Sequence, residues 1–402
     1  MLKFIRLSVL LAVGFIVWTI FSQWFSGSVR IGGDWPFYFK ETLANFSTIP
    51  TLWTYGRGGG LGGVSPVMNL DAYERFLFQI FVQTFSLDFT TVFFYGWFGL
   101  FLFLSITSSY IFSRLVHTGV IERAITVLVF LTNTYVLMLV GGGQMGVALS
   151  YVSTPFMLTY FIRLIRLLRD QKVNLRSVRY CSLKLLLSIA LVIFFDPRIA
   201  FVVCIALGVY LLVSLPEIFA RGRIVKNFIT LSGVFVLALG LNGFWLIPEN
   251  ITKDNPLSGV ASSVSLGSVK FFSFADFSHA LSLLHPNWSE NIFGKTYFLD
   301  SVFLFLPFLA FLALLGIFRS ARSKNISAGD SFVNKIQVYF IILALIGVFL
   351  SKGTNPPFGN AFFKFLFEYI PLARVFRSSY EKFGIVWLMV YSIFFAYGFG
   401  YI

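Results

Sequence analysis

The sequence predicts an all-α, polytopic membrane protein. Of its 402 residues, 57% are hydrophobic and only 12% are charged, against the roughly 25% of charged residues that is usual in soluble domains. Apolar runs of about 20 residues, the length that crosses a bilayer as a helix, recur along the whole chain. A soluble globule is therefore excluded. The two cysteines, Cys181 and Cys204, lie inside apolar runs, so neither a disulfide framework nor a thiolate metal site is expected.

About ten transmembrane helices are predicted, each an apolar window with charged or Gly/Pro-rich borders. They lie near residues 4–24, 89–113, 121–140, 149–168, 182–195, 198–215, 227–247, 300–318, 334–351 and 383–402. Lys3 and Arg6 precede the first window and no small-residue cleavage site follows it, which indicates an anchor whose N-terminus faces the cytoplasm. Residues 1–402 are predicted to form a single transmembrane domain. Because no basic residue follows the last window, we expect it to be the N-terminal part of a longer chain.

The net charge of +14 is concentrated on the side predicted to be cytoplasmic. That side collects 18 of the 31 Lys and Arg but four of the 17 Asp and Glu, whereas the other side collects thirteen of each. This is the positive-inside pattern of an integral plasma-membrane protein. It argues against nucleic acid as a partner and indicates contacts with membrane lipids. His117, beside Arg114 and Arg123, is interpreted as a surface residue on this side.

The opposite, extracytoplasmic side is predicted to carry the function, because its connections are long and loops commonly carry binding and catalytic residues. These outer loops lie near 25–88, 248–299 and 352–382. The first holds Asp34 directly after the first helix, in a Gly/Pro-bounded turn beside Trp35 and Tyr38. A carboxylate at the membrane surface can act as general base toward a hydroxyl of a lipid-borne substrate. An ordinary solvated loop acid is the alternative.

The remainder of the first loop contains a glycine-rich stretch and a predicted surface helix. Glycines follow Trp53 and surround Arg57, where they allow close backbone approach to a ligand. No Lys-Ser/Thr follows them, so a nucleotide-binding P-loop is rejected, and a merely flexible loop is the alternative. Residues 72–85 are apolar on much of their helical circumference and predict a helix lying in the membrane interface.

Asp196 and Arg198 flank Pro197 in a tight hairpin between two predicted helices. Charge at a membrane boundary is costly and tends to be functional. The alternative is a turn in which Pro197 breaks the helix and Arg198 extends to the surface.

The third loop ends in three cations within nine residues, Arg374, Arg377 and Lys382. The planar guanidinium fork suits a phosphate, and a lysine adds a point charge. The alternative is anchoring to lipid headgroups, with Glu381 as an internal partner.

The second loop contains two of the three histidines, His279 and His285, with Glu290 nearby. Their spacing matches no standard zinc arrangement, so hydrogen-bonded or substrate-contacting histidines are favoured over a metal site. A divalent cation remains an open alternative without assigned ligands.

Together these segments resemble the GT-C integral-membrane glycosyltransferases, and more narrowly the arabinofuranosyltransferase-like members that use polyprenyl-phosphate sugars. The resemblance rests on Gly33-Asp34, the long first loop with its surface helix, the Asp196-Pro197-Arg198 hairpin and the segment from Phe376 to Gly384. It implies Asp34 as the catalytic base and a phosphate-binding role for basic residues near the outer surface, here Arg377 and Lys382. Because Trp35 and Pro36 follow Asp34, the Asp-x-Asp of many members is absent, which leaves metal dependence open.

The resulting expectation is an inverting glycosyltransferase that takes a sugar from a polyprenyl-phosphate donor to a cell-envelope glycan or lipid-linked acceptor. Asp34 deprotonates the acceptor, while Arg377 and Lys382, with Arg374 beside them, stabilise the phosphate that leaves. Further candidates for substrate binding are aromatic, charged and imidazole side chains in or beside the outer loops: Trp35, Tyr38, Trp53, Arg57, Asp196, Arg198, His279, His285 and Glu290.

Two other functions remain as alternatives. A polyprenyl-linked polysaccharide polymerase or ligase would concentrate its arginines and histidine in a late outer loop. A lipid or solute transporter, such as a flippase, would place charges near the middle of its helices. The predicted helices are nearly free of charge, which favours chemistry at the membrane surface.

Overall fold

The structure is a computed structural model that describes most of the chain. The described residues are 2–25, 34, 53–54, 63–64, 68–117, 119–169, 174–219, 224–251, 265–273, 275–282, 311–312, 314 and 328–400. Within these ranges the protein is helical apart from one antiparallel pairing, in which β1 (Trp53–Thr54) lies beside β2 (Gly63–Val64) with Trp53 opposite Val64.

The described α-helices are named in chain order. They are α1 (Leu2–Phe21), α2 (Met68–Leu77), α3 (Phe89–Ser113), α4 (Val120–Leu131), α5 (Thr134–Gly141), α6 (Met145–Arg169), α7 (Leu175–Phe195), α8 (Pro197–Phe219), α9 (Ile224–Leu241), α10 (Gly243–Ile251), α11 (Leu266–Phe271), α12 (Phe277–Ser282), α13 (Ala328–Ser351), α14 (Gly359–Tyr369) and α15 (Ser379–Phe399). Helix α2 continues as a π-helix over Phe78–Thr84, and α3 contains a π-helical turn at Tyr95–Gly99. Two 3-10 helices are Ser22–Phe25 and Pro371–Phe376.

Five of the described helices are long and apolar enough to cross a membrane: α3, α6, α7, α15 and the Pro197–Leu215 part of α8. Shorter apolar stretches lie in α1, α9 and α13. The protein is therefore helical with five candidate membrane spans, and the expected total of ten stays a prediction. Most of the window near 300–318 lies outside the described residues.

The predicted helix near 121–140 is two helices, because Asn133 interrupts it. The Asn133 side-chain oxygen accepts the backbone N–H of Val136 at 2.9 Å and so caps the start of α5. Its amide donates to backbone carbonyls of the last turn of α4. Side-chain hydrogen bonds thus replace the continuous helical ladder, and α5 becomes a separate helix of eight residues.

The predicted helix near 227–247 is divided at Asn242, whose side chain bonds to the neighbouring helix and to an indole rather than capping α10. The Asn242 amide donates to the carbonyls of Ala190 and Ala238, at 3.0 and 3.1 Å, and its oxygen accepts from the Trp245 indole N–H at 3.0 Å. A buried asparagine with its hydrogen bonds satisfied holds α9 against α7.

Helices α6 and α15 form the centre of the bundle. In their apolar windows 94% and 83% of the residues are buried, whereas α3, α7 and α8 have less than half buried. Helix α6 packs against α7 and α3, and α15 packs against α13 and α4. The outer helices therefore supply the apolar surface that a bilayer would cover.

The helices meet at two opposite ends of the bundle. At one end the turn after α7 lies against α6 and α2, and the start of α15 lies against α5. We call this the Asp34 end. At the other end the ring of His117, after α3, packs on Tyr397 of α15 with centroids 4.6 Å apart.

The interpretation of His117 as a surface residue is wrong. Only 4% of the residue is exposed. The Tyr397 ring covers it, and the guanidinium of Arg123 donates from Nε to the backbone carbonyl of His117 at 3.0 Å. Neighbouring arginines therefore do not mark an exposed histidine here.

Candidate functional site

Asp34 is exposed at the end of the bundle that carries its name. Its backbone N–H donates to the carbonyl of Gly142 at 2.8 Å. Gly142 is the C-cap of α5, and the next residue, Gly143, has φ of 77°, a left-handed conformation that glycine adopts without steric cost. The end of α5 thus provides a fixed backbone contact for the acid.

Asp196, which is buried, and Arg198, which is partly exposed, form a two-point ion pair in the turn between α7 and α8. Pro197 is the first residue of α8, so the preceding Asp196 occupies the capping position and its Oδ1 accepts the backbone N–H of Arg198 at 2.8 Å. The guanidinium adds Nε to Oδ1 at 3.0 Å and Nη2 to Oδ2 at 2.7 Å. Planar fork geometry of this kind makes strong, directional pairs.

The carboxyl of Asp196 stays ionised at neutral pH. Burial raises its pKa, but the charges of Arg198 and Lys382 and the hydrogen bonds from Arg198 outweigh burial, so the pKa lies below its ordinary value. Because both oxygens already accept hydrogen bonds, Asp196 is suited to hold Arg198 in place rather than to take a proton from a substrate.

The first turn of α15 supplies Glu381 and Lys382. The Lys382 Nζ lies 3.7 Å from Glu381 Oε2, and the two side chains are 5% and 9% exposed. The hydroxyl of Tyr135 in α5 donates to the backbone carbonyl of Glu381 at 2.5 Å. The Tyr135 ring also lies against Gly384, where a Cβ would come within 2.9 Å of it. Helix α5 therefore fixes the turn that carries the lysine.

These charges form one cluster. Lys382 interacts electrostatically with Arg198, Asp196, Glu381 and Asp34, and Arg198 interacts with Asp196, Glu381 and Asp34. Taken together, the Asp196–Arg198 and Glu381–Lys382 pairs are neutral, and Asp34 adds one negative charge. The exposed acid therefore lies within electrostatic range of two cations whose own partners are already in place.

Arg198 can bind a further anionic group without leaving Asp196. Its side chain is 46% exposed, whereas the Asp196 side chain is 4% exposed. A guanidinium carries five N–H donors, of which Asp196 takes two. Three N–H groups remain for another acceptor, such as a phosphate oxygen.

The surrounding helices hold the Asp196 turn closely. In α6, a Cβ at Gly146 would come within 2.9 Å of the Phe195 carbonyl, so only glycine permits this approach. One turn later, the Ser150 hydroxyl is within 3.0 Å of the Val192 carbonyl and 3.4 Å of the Asp196 carbonyl. From α2, the Asn69 amide donates to the Phe194 carbonyl. The turn is thus anchored from two sides.

The predicted helix over 72–85 exists as α2 and its π-helical continuation. It packs against α3 and α7: the Tyr73 hydroxyl donates to the Gly96 carbonyl at 2.6 Å, and its ring meets Phe195 edge-on at 6.2 Å. This helix therefore lies beside the charged cluster, and its expected place in the membrane interface stays a prediction.

The predicted phosphate-binding role of Arg377 and Lys382 stays a prediction. The exposed guanidinium of Arg377 lies over the ring of Phe272, 5.3 Å from its centroid, at the C-cap of α11. The charges that act on Lys382 come from Asp34, Asp196, Arg198 and Glu381. Arg198 is thus a further cation that acts on Lys382 and that the sequence did not single out for phosphate.

The other candidates are only partly described. The backbones of Arg374, Trp53 and His279 lie in the 3-10 helix Pro371–Phe376, in β1 and in α12, while their side chains lie outside the described part. The remaining candidates lie outside the described residues altogether: Trp35, Tyr38, Arg57, His285 and Glu290. Their predicted roles stay predictions.

Among the described residues, no three His, Cys, Asp or Glu side chains gather closely enough to hold a metal ion. In the cluster, Asp196 is occupied by Arg198 and Glu381 lies beside Lys382.

Tyr135 and Ser150 are the positioning residues that sequence reasoning missed. Both lie in apolar runs. The chain contains 17 tyrosines, and nothing in the sequence distinguishes Tyr135 from the others or marks Ser150. Only their hydrogen bonds to the Glu381 and Asp196 turns reveal them.

Comparison with known proteins adds no assignment. No family model, no curated protein and no solved structure matches the chain.

Proposed function

We propose that the protein is a membrane glycosyltransferase that moves a sugar from a polyprenyl-phosphate donor to a cell-envelope glycan or lipid acceptor, with Asp34 as general base. One observation carries the proposal. The exposed acid Asp34 is held at one end of the helical bundle by the Gly142 carbonyl, within electrostatic range of two cations, Arg198 and Lys382. This supplies a base and an anion-binding group at the same surface, as transfer from a lipid phosphate requires.

The chemistry has a simple balance. The acceptor hydroxyl oxygen forms a bond to the anomeric carbon of the sugar while the bond from that carbon to the phosphate oxygen breaks. The phosphate leaves with the electron pair, and the hydroxyl proton goes to the Asp34 carboxylate. Attack from the face opposite the leaving group inverts the anomeric centre.

Arg198 is the cation that we assign to the departing phosphate. It keeps two N–H bonds to Asp196 and has three more to donate, and nearly half of its side chain is exposed. Lys382 is buried beside Glu381 and contributes its charge from behind. Asp196 is a positioning residue, because it fixes the plane of the Arg198 guanidinium.

Release of polyprenyl phosphate tests the proposal directly. Detergent-purified protein is incubated with a panel of short-chain polyprenyl-phosphate sugars, and the freed lipid phosphate is measured for wild type, Asp34→Asn and Asp88→Asn. Asp88 is an exposed acid that caps α3 by accepting from Thr91 N–H at 2.9 Å, a bond that asparagine can keep. We expect release by wild type and Asp88→Asn, and a loss of at least about 100-fold in Asp34→Asn.

Two outcomes would contradict the proposal. Equal release by Asp34→Asn and wild type removes Asp34 as the base. Absence of release from every donor, in protein that unfolds cooperatively on heating, removes the donor class and favours transport or a polymerase.

A further inference from the structure

Helix α14 has three different faces around its circumference. Residues four apart share a helical face. One face, with Gly359, Phe363 and Phe367, is buried against the protein. The next face around the helix is exposed and polar, with Asn360, Lys364 and Glu368, and the third is exposed and aromatic, with Phe365 at 54% and Tyr369 at 70% exposure.

The polar and aromatic faces are separate stripes. Lys364 Nζ and Glu368 Oε1 lie 3.9 Å apart, with side chains 62% and 52% exposed, so the polar stripe pairs its own charges in solvent. The aromatic stripe is extended by Phe358, which precedes the helix and is 81% exposed. Water suits the first stripe, whereas an apolar environment suits the second.

The position of α14 in the chain places it beside the membrane. It begins eight residues after the apolar α13 ends at Ser351, and it is followed by α15, a candidate membrane span that begins at Ser379. The start of α15 carries Glu381 and Lys382, so α14 belongs to the Asp34 end of the bundle. Helix α13 also has exposed apolar surface, where Leu345 is 68% exposed.

The turn before α14 is fixed rather than free to reorient. The Lys352 ammonium, fully buried, donates to the carbonyls of Asn355 and Pro357, the latter at 2.7 Å. The Asn355 amide donates to the carbonyls of Ser273 and Ala275, both at 2.8 Å. These bonds tie α14 to the segment around α11, whose last residue, Phe271, is 71% exposed. The aromatic stripe is therefore held outward by the fold.

We propose that α14 lies in the headgroup region of the bilayer at the Asp34 end, with Phe358, Phe365 and Tyr369 inserted among the outer parts of the acyl chains. The polar stripe then faces water. A membrane-surface helix with one apolar and one charged side buries its apolar side about 5–10 Å into the headgroup boundary. The occupant of the aromatic stripe is lipid, because the candidate membrane span α15 begins at this end and the apolar stretch of α13 ends there.

Spin labels on the two stripes test this placement. The two natural cysteines, Cys181 and Cys204, are replaced by alanine, and a single nitroxide is attached at Phe365→Cys or at Lys364→Cys as the matched control. The full chain is reconstituted in phosphatidylglycerol–phosphatidylcholine vesicles at high lipid excess. Collision rates of each label with oxygen, which concentrates in lipid, and with a water-soluble nickel chelate are then compared.

We expect the ratio of oxygen to nickel collisions at position 365 to exceed that at 364 at least about threefold, as for a residue below the headgroups. A ratio at 365 equal to that at 364 would place the stripe in water and overturn the proposal. Low collision rates with both reagents at 365 would also overturn it, because they would show cover by protein, a second copy included.

A second pair guards against disruption by the label. Ala361→Cys and Asn360→Cys lie one turn earlier on the same two stripes, and both positions are exposed. The same contrast is expected there. Contrary results at both pairs, in protein with the wild-type unfolding temperature, would reject lipid as the occupant.

Discussion

The hydroxyl of Tyr135 donates a hydrogen bond to the backbone carbonyl of Glu381, a residue 246 positions later in the chain, at a distance of 2.5 Å. The same short helix, α5, reaches Asp34 through the Gly142 carbonyl at its other end, at 2.8 Å. Thus α5 contacts both the acid that follows the first helix and the turn that carries Lys382. Helix α5 therefore links the positions of Asp34 and of the turn that carries Lys382.

Removal of the Tyr135 hydroxyl should destabilise the protein. Tyr135→Phe keeps the ring against Gly384 but removes the bond that joins α5 to the first turn of α15, which we expect to cost about 1 kcal/mol. The measurement is the thermal unfolding midpoint in detergent. Tyr110→Phe, at a 44% exposed position on α3, is the control and should change stability by less than about 0.5 kcal/mol. Equal midpoints for the two variants would argue against the contact.

The Asp196–Arg198 pair should contribute more to the stability of the protein than an exposed ion pair does. Asp196→Asn removes the counter-charge of Arg198. Because water reaches nearly half of that arginine, we expect the free energy of unfolding to fall by about 2 kcal/mol, less than for a fully buried pair. Lys364→Gln breaks the exposed pair with Glu368 and should cost less than about 0.5 kcal/mol. Unfolding midpoints at pH 7 compare them.

The effect of Asp196→Asn should also depend on pH. Since the pKa of Asp196 in the folded protein lies below its ordinary value, its stabilising contribution is present above the ordinary pKa of about 4 and is lost at lower pH. The difference in unfolding midpoint between wild type and Asp196→Asn should therefore become smaller below pH 4. A constant difference down to pH 2.5 would contradict an ionised Asp196.

Substitutions at Arg198 and at Arg377 should differ in their effect on KM for the donor. Under the proposed function, Arg198→Lys keeps a charge beside Asp196 but loses the planar fork, so we expect KM for the polyprenyl-phosphate sugar to rise about 10-fold or more. Arg377→Lys is the matched control and should change KM less than about twofold, because its guanidinium lies over Phe272. Steady-state release of lipid phosphate measures both. The reverse ranking would restore Arg377 as the phosphate ligand.

Buried His117 should make the protein less stable in mild acid. Burial, and then the charge of Arg123, lower its pKa from 6.5 to about 4. The unfolded chain therefore takes up a proton between pH 6.5 and 4 that the folded protein excludes, so stability falls as pH drops through this window. At pH 5 the expected loss relative to pH 7.5 is about 2 kcal/mol.

His117→Phe tests this dependence, because phenylalanine retains the ring contact with Tyr397 without the proton. The unfolding midpoints of wild type and variant are compared at pH 7.5 and pH 5. The drop in wild type should exceed that of the variant by several degrees. Parallel drops would assign the acid sensitivity to other groups.

The long apolar helices were predictable in part, and the interruptions of two others were not. A helix that crosses a bilayer needs about 20 mostly apolar residues, so the windows near 149–168 and 383–402 anticipate α6 and α15 within a few residues. The breaks at Asn133 and Asn242 come from side-chain hydrogen bonds to the backbone, which one asparagine in an apolar window does not reveal.

The site was predictable where the signal is local. Pro197 starts a helix, so an acid before it and an arginine after it fall within reach of each other. The choice between Arg198 and Arg377 is not local, because it depends on α15 beginning at Ser379 and on Phe272 lying under Arg377. That information exists only once distant helices have packed.

An added methyl group should disrupt the close packing of α13 against α15. Gly347 of α13 faces Trp387 of α15 so closely that a Cβ would lie 2.8 Å from the Trp387 backbone nitrogen, and backbone cannot move aside as a flexible side chain can. Gly347→Ala must separate α13 from α15, and we expect it to cost about 1–3 kcal/mol. Because α15 carries Lys382, the interactions of Lys382 with Asp34 and Arg198 should weaken as well.

Gly233→Ala is the matched control, since a Cβ at that position of α9 meets nothing within 4 Å. There the added methyl only reduces the freedom of the unfolded chain, and a gain of up to about 1 kcal/mol is expected. Unfolding midpoints of the two variants should therefore move in opposite directions from wild type. A Gly347→Ala protein as stable as wild type would mean that α13 and α15 are not packed this closely.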